Sequence, residues 1–380
     1  MWRYAAPAAA FVVALALWLV LLEERRWSPA PAAFDIATWE LAAVPGKWLY
    51  ALGTPLRDDP PSEEALARYF ALPDRGSAEG TRLAPVAEAA IEGRLDAGLR
   101  ALGMPGVPGL SVWPPVDIEL TGPPRVLAIS PRSRIELASR SILRPGLSLD
   151  EAVAIEARVE GDGGTSAAVM PLGGLSTYPA IVTDGASYAD TVEASAHEWV
   201  HHHLSFFPLG FSAPGNRETL RISETVADLA GDEIARVVLA LSGDPTAAIE
   251  GAPGGSVAER ARAQASRLSD RDVTLRALRL EVDALLLEGR VEQAERRMEE
   301  VRLELAERGI NLRRLNQAYF AWTGTYAARG DSIDTLAGEL REIRGLSQTL
   351  PRFIEAVRGA TSRADIARVL DELRAAEGVR

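Results

Sequence analysis

All four histidines of this 380-residue chain lie between His197 and His203, in the stretch ASAHEWVHHH, and the chain has no cysteine. A metal site would therefore draw on that one segment and on carboxylates. Read as a helix, the segment sets His197 and His201 one turn apart on a single face, with Glu198 directly after the first of them. This is the H-E-x-x-H arrangement, in which two imidazoles hold zinc and the glutamate serves as general base. Val200 and Leu204 share the stripe, so both imidazoles are expected to face inward. His202 and His203 project elsewhere and are not expected to ligate.

Zinc in hydrolases takes three protein ligands and leaves a position for water. No histidine remains to complete the set, so a carboxylate must. The downstream stretch NRETLRISETVADLAGDEIAR offers Glu224 and Asp228, which on a helix share a face while Thr225 and Val226 turn away.

His197-Glu198-Trp199-Val200-His201, followed by Glu224-Thr225-Val226-Ala227-Asp228, resembles the gluzincin zinc metallopeptidases, the thermolysin-like clan, with their H-E-x-x-H and E-x-x-x-D pair. The resemblance covers residues 197–228. It implies that His197, His201 and Glu224 hold Zn2+, that Glu198 activates the bound water, and that Asp228 orients a ligand histidine from behind. Thermolysin-like enzymes add a later histidine that stabilises the tetrahedral intermediate, and this chain has none there. Tyrosine or arginine would have to take that role, and LNQAYFAWTGTYAARG puts Tyr319 and Tyr326 seven residues apart on one helical face. That late segment is also loosely similar to a family of bacterial zinc aminopeptidases, although the G-x-M-E-N signature of gluzincin aminopeptidases is absent. The expected partner is a peptide or protein substrate. It would lie along an exposed strand in GGLSTYPAIVTDG, where Pro179 suits a sheet edge.

The expected fold class is α+β and mostly α: a small antiparallel or mixed sheet packed on the zinc-binding helix, with an α-helical C-terminal region. Helical spacing covers 62–71 and 82–103. PVDIEL, RVLAIS and RIELAS read as antiparallel strands, and LSLDEAVAIEARV as a helix of about three turns capped near Ser148. Two apolar runs then lead to the histidine helix. After it, LRALRLEVDALLLEGRVEQAERRMEEVRLELAERG breaks at Glu288-Gly289-Arg290 into an antiparallel helical hairpin. Its turn is similar to a tetratricopeptide unit, but no second copy follows, so no repeat domain is expected.

Four stretches result: 1–26 as a membrane anchor, 27–110 as linker and N-terminal helices, 111–245 as the α+β core with the metal site, and 246–380 as the helical C-terminal region. The anchor rests on residues 5–22, which carry no charge and are just long enough to span a bilayer. Glu23, Glu24, Arg25 and Arg26 separate that run from the small-residue stretch Ser28–Ala33, which argues against cleavage. The expectation is a single-pass membrane protein with its catalytic domain outside the cytoplasm, although Arg25 and Arg26 outnumber Arg3 and favour the opposite orientation. Net charge is −12 and no basic tract stands out, so nucleic acid is not an expected partner. Oligomeric state cannot be read. From a different class, the alternative is a membrane-tethered helical interaction module with a structural metal site, which a fourth ligand such as His202 or Asp228 would mark.

Overall fold

The computed structural model describes residues 32–36, 39, 63–106, 112–245, 257–327 and 332–378. The apolar run at 5–22 lies outside the described residues, and no described helix is long and apolar enough to cross a membrane.

Helices α1 (Glu63–Ala71) and α2 (Ala78–Ala101) precede the strands. In α2, Ala87, Ile91, Leu95 and Leu99 recur every four residues and are all buried, which makes one face a continuous apolar stripe. Six short strands follow: β1 (Ile118–Thr121), β2 (Arg125–Pro131), β3 (Ser139–Leu143), β4 (Thr165–Pro171), β5 (Gly174–Leu175) and β6 (Ala180–Thr183). They form two three-stranded sheets. One is antiparallel with β2 between β3 and β4. The other is mixed: β6 lies between β1, to which it runs parallel, and β5, to which it runs antiparallel. Between β3 and β4, helix α3 (Leu149–Val159) begins at a capping box. Ser148 Oγ accepts from Glu151 N, and the Glu151 carboxylate accepts from Ser148 N.

The fold is α+β and mostly α, but the strand readings need three corrections. β1 does not join β2 in an antiparallel sheet; it pairs with β6, far away in sequence. RIELAS is not a strand, since pairing begins only at Ser139. Its alternation arises because Ile135 and Leu137 pack onto side-chain clusters, while Glu136 turns outward to Arg134 and Arg217. The third correction concerns the strand beside the histidine helix. β6 has neighbours on both sides, so Pro179 does not mark an edge; the edges are β1 and the two-residue β5.

The histidines sit on α4 (Tyr188–Leu204), which is followed by the short α5 (Pro208–Ser212) and the long α6 (Arg217–Ser242). α4 packs on α6 on one side and on β5 and β6 on the other. Gly231 of α6 allows the close approach. A Cβ there would stand 3.0 Å from His197 N and 3.1 Å from His197 Cα. The hairpin consists of α7 (Val257–Leu287) and α8 (Val291–Glu307), turning at Gly289 with φ of 74°, a left-handed conformation that glycine adopts without strain. Then come α9 (Gln317–Thr323), α10 (Leu336–Leu346), α11 (Leu350–Val357) and α12 (Arg363–Gly378). The largest apolar cluster joins Ile91 and Leu95 of α2, Val192 and Trp199 of α4, Ile234 of α6, Leu340 of α10 and Phe353 of α11. This core thus draws on 27–110, 111–245 and 246–380 alike. The hairpin keeps its own cluster, which reaches the rest of the protein through Ile135, Leu315 and Phe320.

Candidate metal centre

α4 starts at Ser187, whose Oγ accepts from Asp190 N, and α6 starts at Asn216, whose Oδ1 accepts from Glu218 N and Thr219 N. These caps fix the phase of the two helices. Val200 and Leu204 are completely buried, and the imidazoles on their stripe turn toward α6, with side-chain exposures of only 16% for His197 and 15% for His201.

The three expected ligands converge. His197 Nε2 and His201 Nε2 lie 3.0 Å apart, and Glu224 Oε2 lies 3.4 Å from the first and 3.3 Å from the second. Donors about 2.1 Å from a tetrahedrally coordinated ion stand about 3.4 Å from one another, so one ion fits all three. Two imidazole nitrogens and one carboxylate oxygen suit a divalent transition metal.

Behind the ligands, His197 Nδ1 lies 3.1 Å from Asp228 Oδ1. Asp228 therefore accepts the Nδ1 proton and leaves the Nε2 lone pair free to face the triad. Ser223 Oγ lies 3.4 Å from His201 Nδ1 and supports the second ring more loosely. Burial by itself would lower the His197 pKa, but its bonds to Asp228 and Glu224, with the Glu198 charge, outweigh that and hold it well above the usual imidazole value. Burial would likewise raise the Glu224 pKa; the nearby imidazoles outweigh it and keep this carboxyl far below the ordinary range. Both directions express one fact, that the pocket favours positive charge among its carboxylates.

Glu198 is buried, and burial raises its pKa against the opposing influence of His197 and His201. Its position depends on Gly174 in the edge strand β5. A Cβ there would lie 2.5 Å from Glu198 Oε1 and 2.9 Å from Ile181 O, so only glycine leaves room for this carboxylate beside the strand. Neither remaining histidine is available as a ligand. His202 donates from Nε2 to Thr177 O, and burial pushes its pKa down to about 4. His203 donates from Nδ1 to Trp113 O and stacks on Trp199.

The two tyrosines part company. α9 ends at Thr323, where Gly324 N bonds back to Phe320 O, so Tyr319 and Tyr326 do not share a helical face. Tyr319 packs with the hairpin cluster, against Phe320. Tyr326 reaches the site, its ring centroid 6.5 Å from that of His197, braced edge-on by Trp322.

What carries Tyr326 there is a buried ion network absent from the sequence-based expectations. Glu156 of α3 is fully buried and bonds to both Arg313 and Arg314, while Arg314 also reaches Glu160. Asn316 then donates to Ala167 O of β4 and caps α9 by accepting from Tyr319 N. The available signals were the Arg-Arg pair just before a capping Asn and an acidic residue on the apolar face of α3. Gly174 and Gly231 carried no signal of their own. Comparison with known proteins returned no match to a family model, a curated protein or a solved structure.

Proposed function

We propose that the chain is a zinc-dependent metallopeptidase of gluzincin type. The observation that carries this is the convergence of His197, His201 and Glu224 at coordination spacing, with buried Glu198 beside them. A zinc ion held by those three residues would polarise a peptide carbonyl and make water a stronger acid. Glu198 takes the proton of the attacking water and returns it to the leaving amine. Asp228 fixes the His197 ring so that Nε2 faces the ion. Tyr326, whose ring lies beside that of His197, would donate a hydrogen bond to the oxygen that becomes negative. The edge strand β5 lies next to Glu198, where an extended peptide could add to the sheet.

A structural metal site would be closed by a fourth protein donor. Among the described residues none is in place, because His202 is committed to Thr177 O and Asp228 to the rear nitrogen of His197. This supports the catalytic reading over the interaction module. Purified protein should hold one zinc per chain and hydrolyse an unfolded protein substrate, and Glu198→Gln should keep the metal while losing about a thousandfold in rate. Absence of bound metal, or full activity in Glu198→Gln, refutes the proposal. Residues 5–22 are proposed as a single membrane anchor that leaves the metal centre in water outside the cytoplasm. A reporter fused after Arg380 that is active only in the cytoplasm would reverse this placement without touching the chemistry.

A further inference from the structure

The hairpin helix α7 has two apolar faces, and its partner α8 covers only one. Leu275, Leu278, Val282 and Leu285 are buried against α8. On the opposite side stand Val273, Ala277, Leu280, Ala284 and Leu287, all exposed, with Val273 at 68%, Leu280 at 54% and Leu287 at 90%. Scattered exposed apolar side chains need no explanation, but these follow the alternating four- and three-residue spacing of a coiled-coil seam over about 21 Å of helix.

We infer that this seam binds the same seam of a second copy, the two α7 helices antiparallel about a twofold axis at Leu280. In that alignment Val273 meets Leu287, Ala277 meets Ala284 and Leu280 meets itself, so the small residues face each other and let the backbones approach. The flanking charges select this orientation. Arg276, whose guanidinium bonds Ser332 O within the chain, borders the seam on the side of Asp283, and the antiparallel pair sets each Arg276 beside the Arg279–Asp283 ion pair of the second copy, twice by symmetry. A parallel pair would also gain Arg276 beside Glu281 of the second copy, but it carries two like-charge contacts between Asp283 and Glu288, against the single Glu281–Glu281 contact of the antiparallel pair. The seam is short, which fits a dimer that forms in the micromolar range.

Sedimentation of the full chain in a non-ionic detergent tests this. Wild type should pass from monomer to dimer across the micromolar range. Arg276→Asp and Asp283→Arg should each raise the midpoint about tenfold, by turning both contacts into like-charge pairs. An equal mixture of the two single variants should restore wild-type affinity, because attraction returns at both contacts only in the mixed pair. Circular dichroism checks that each variant folds. Because the chain lacks cysteine, Leu280→Cys supplies an independent readout: oxidation should link copies through residue 280, while Leu303→Cys on α8 should not. A monomer at every concentration overturns the inference, as does a mixture no tighter than the single variants. Leu280-dependent binding to anionic vesicles by a protein that stays monomeric also overturns it, in favour of a lipid surface. Zinc content and hydrolysis are read separately, so failure here leaves the proposed activity standing.

Discussion

Glu156 and Glu224 are both carboxylates on helices, both withdrawn from water, and both held in the ionised form below their ordinary pKa. Their compensation differs in kind. Around Glu156 two guanidiniums and the Val169 backbone N–H supply positive charge built into the chain. Around Glu224 stand two imidazoles and two further carboxylates, Glu198 and Asp228, and among the described residues no arginine pairs with any of the three. A buried charge closed by fixed cations holds a structure together, whereas one closed by imidazoles that can shed their protons is poised for a mobile cation.

The largest effect should appear where the fixed cations are orphaned. Glu156→Ala leaves Arg313 without its carboxylate and Arg314 with Glu160 alone, and should cost about 3 kcal/mol, read from urea unfolding. Glu224→Ala in metal-free protein should cost less than Glu156→Ala, since the imidazoles it leaves can release their protons and a guanidinium cannot. Equal losses would erase the distinction between the two sites.

Tyr326→Phe should lower kcat by about 100-fold with zinc content unchanged, in line with loss of one donor to a developing oxyanion. Tyr319→Phe should leave kcat unaltered, because Tyr319 belongs to the hairpin cluster. Somewhat smaller, Asp228→Asn should weaken zinc binding about 10- to 100-fold in a competition titration, since the rear hydrogen bond that fixes the His197 ring is altered.

The smallest contrast concerns acid. Burial alone would raise the Glu156 pKa, but its bonds to Arg313 and Val169 prevail and depress it. A depressed folded-state pKa contributes stability above the unfolded value of about 4.3, and that contribution fades as pH falls through the folded value. Wild type should therefore lose stability below about pH 4, and Glu156→Gln should flatten that part of the profile in urea unfolding at a series of pH values.

How much of this was legible beforehand follows the range of the interactions. The ligand set could be read because helical pitch fixes His197 against His201 and Glu224 against Asp228, whatever the rest of the chain does. The capping box at Ser148 and the turn at Gly289 are local for the same reason. Long-range pairing left no such trace, as β1 meeting β6 shows. Periodicity misled where tertiary contacts imitate it: Ile135 and Leu137 alternate without forming a ladder, and Tyr319 and Tyr326 straddle a helix end. Glu156 looked like any acid on an amphipathic helix until the Arg313–Arg314 pair closed over it.

The contact at Gly231, where α6 meets the backbone of His197, bears on the kinetics of metal exchange. Helices this close move as one body, so the imidazoles and Glu224 are gathered when the chain folds and not when the ion arrives. The ordering entropy is then already spent before the ion binds. Chelation should empty the site without melting the helices, and reloading should proceed as a simple bimolecular capture whose rate scales with free metal, unlike small zinc modules in which each binding event is also a folding event.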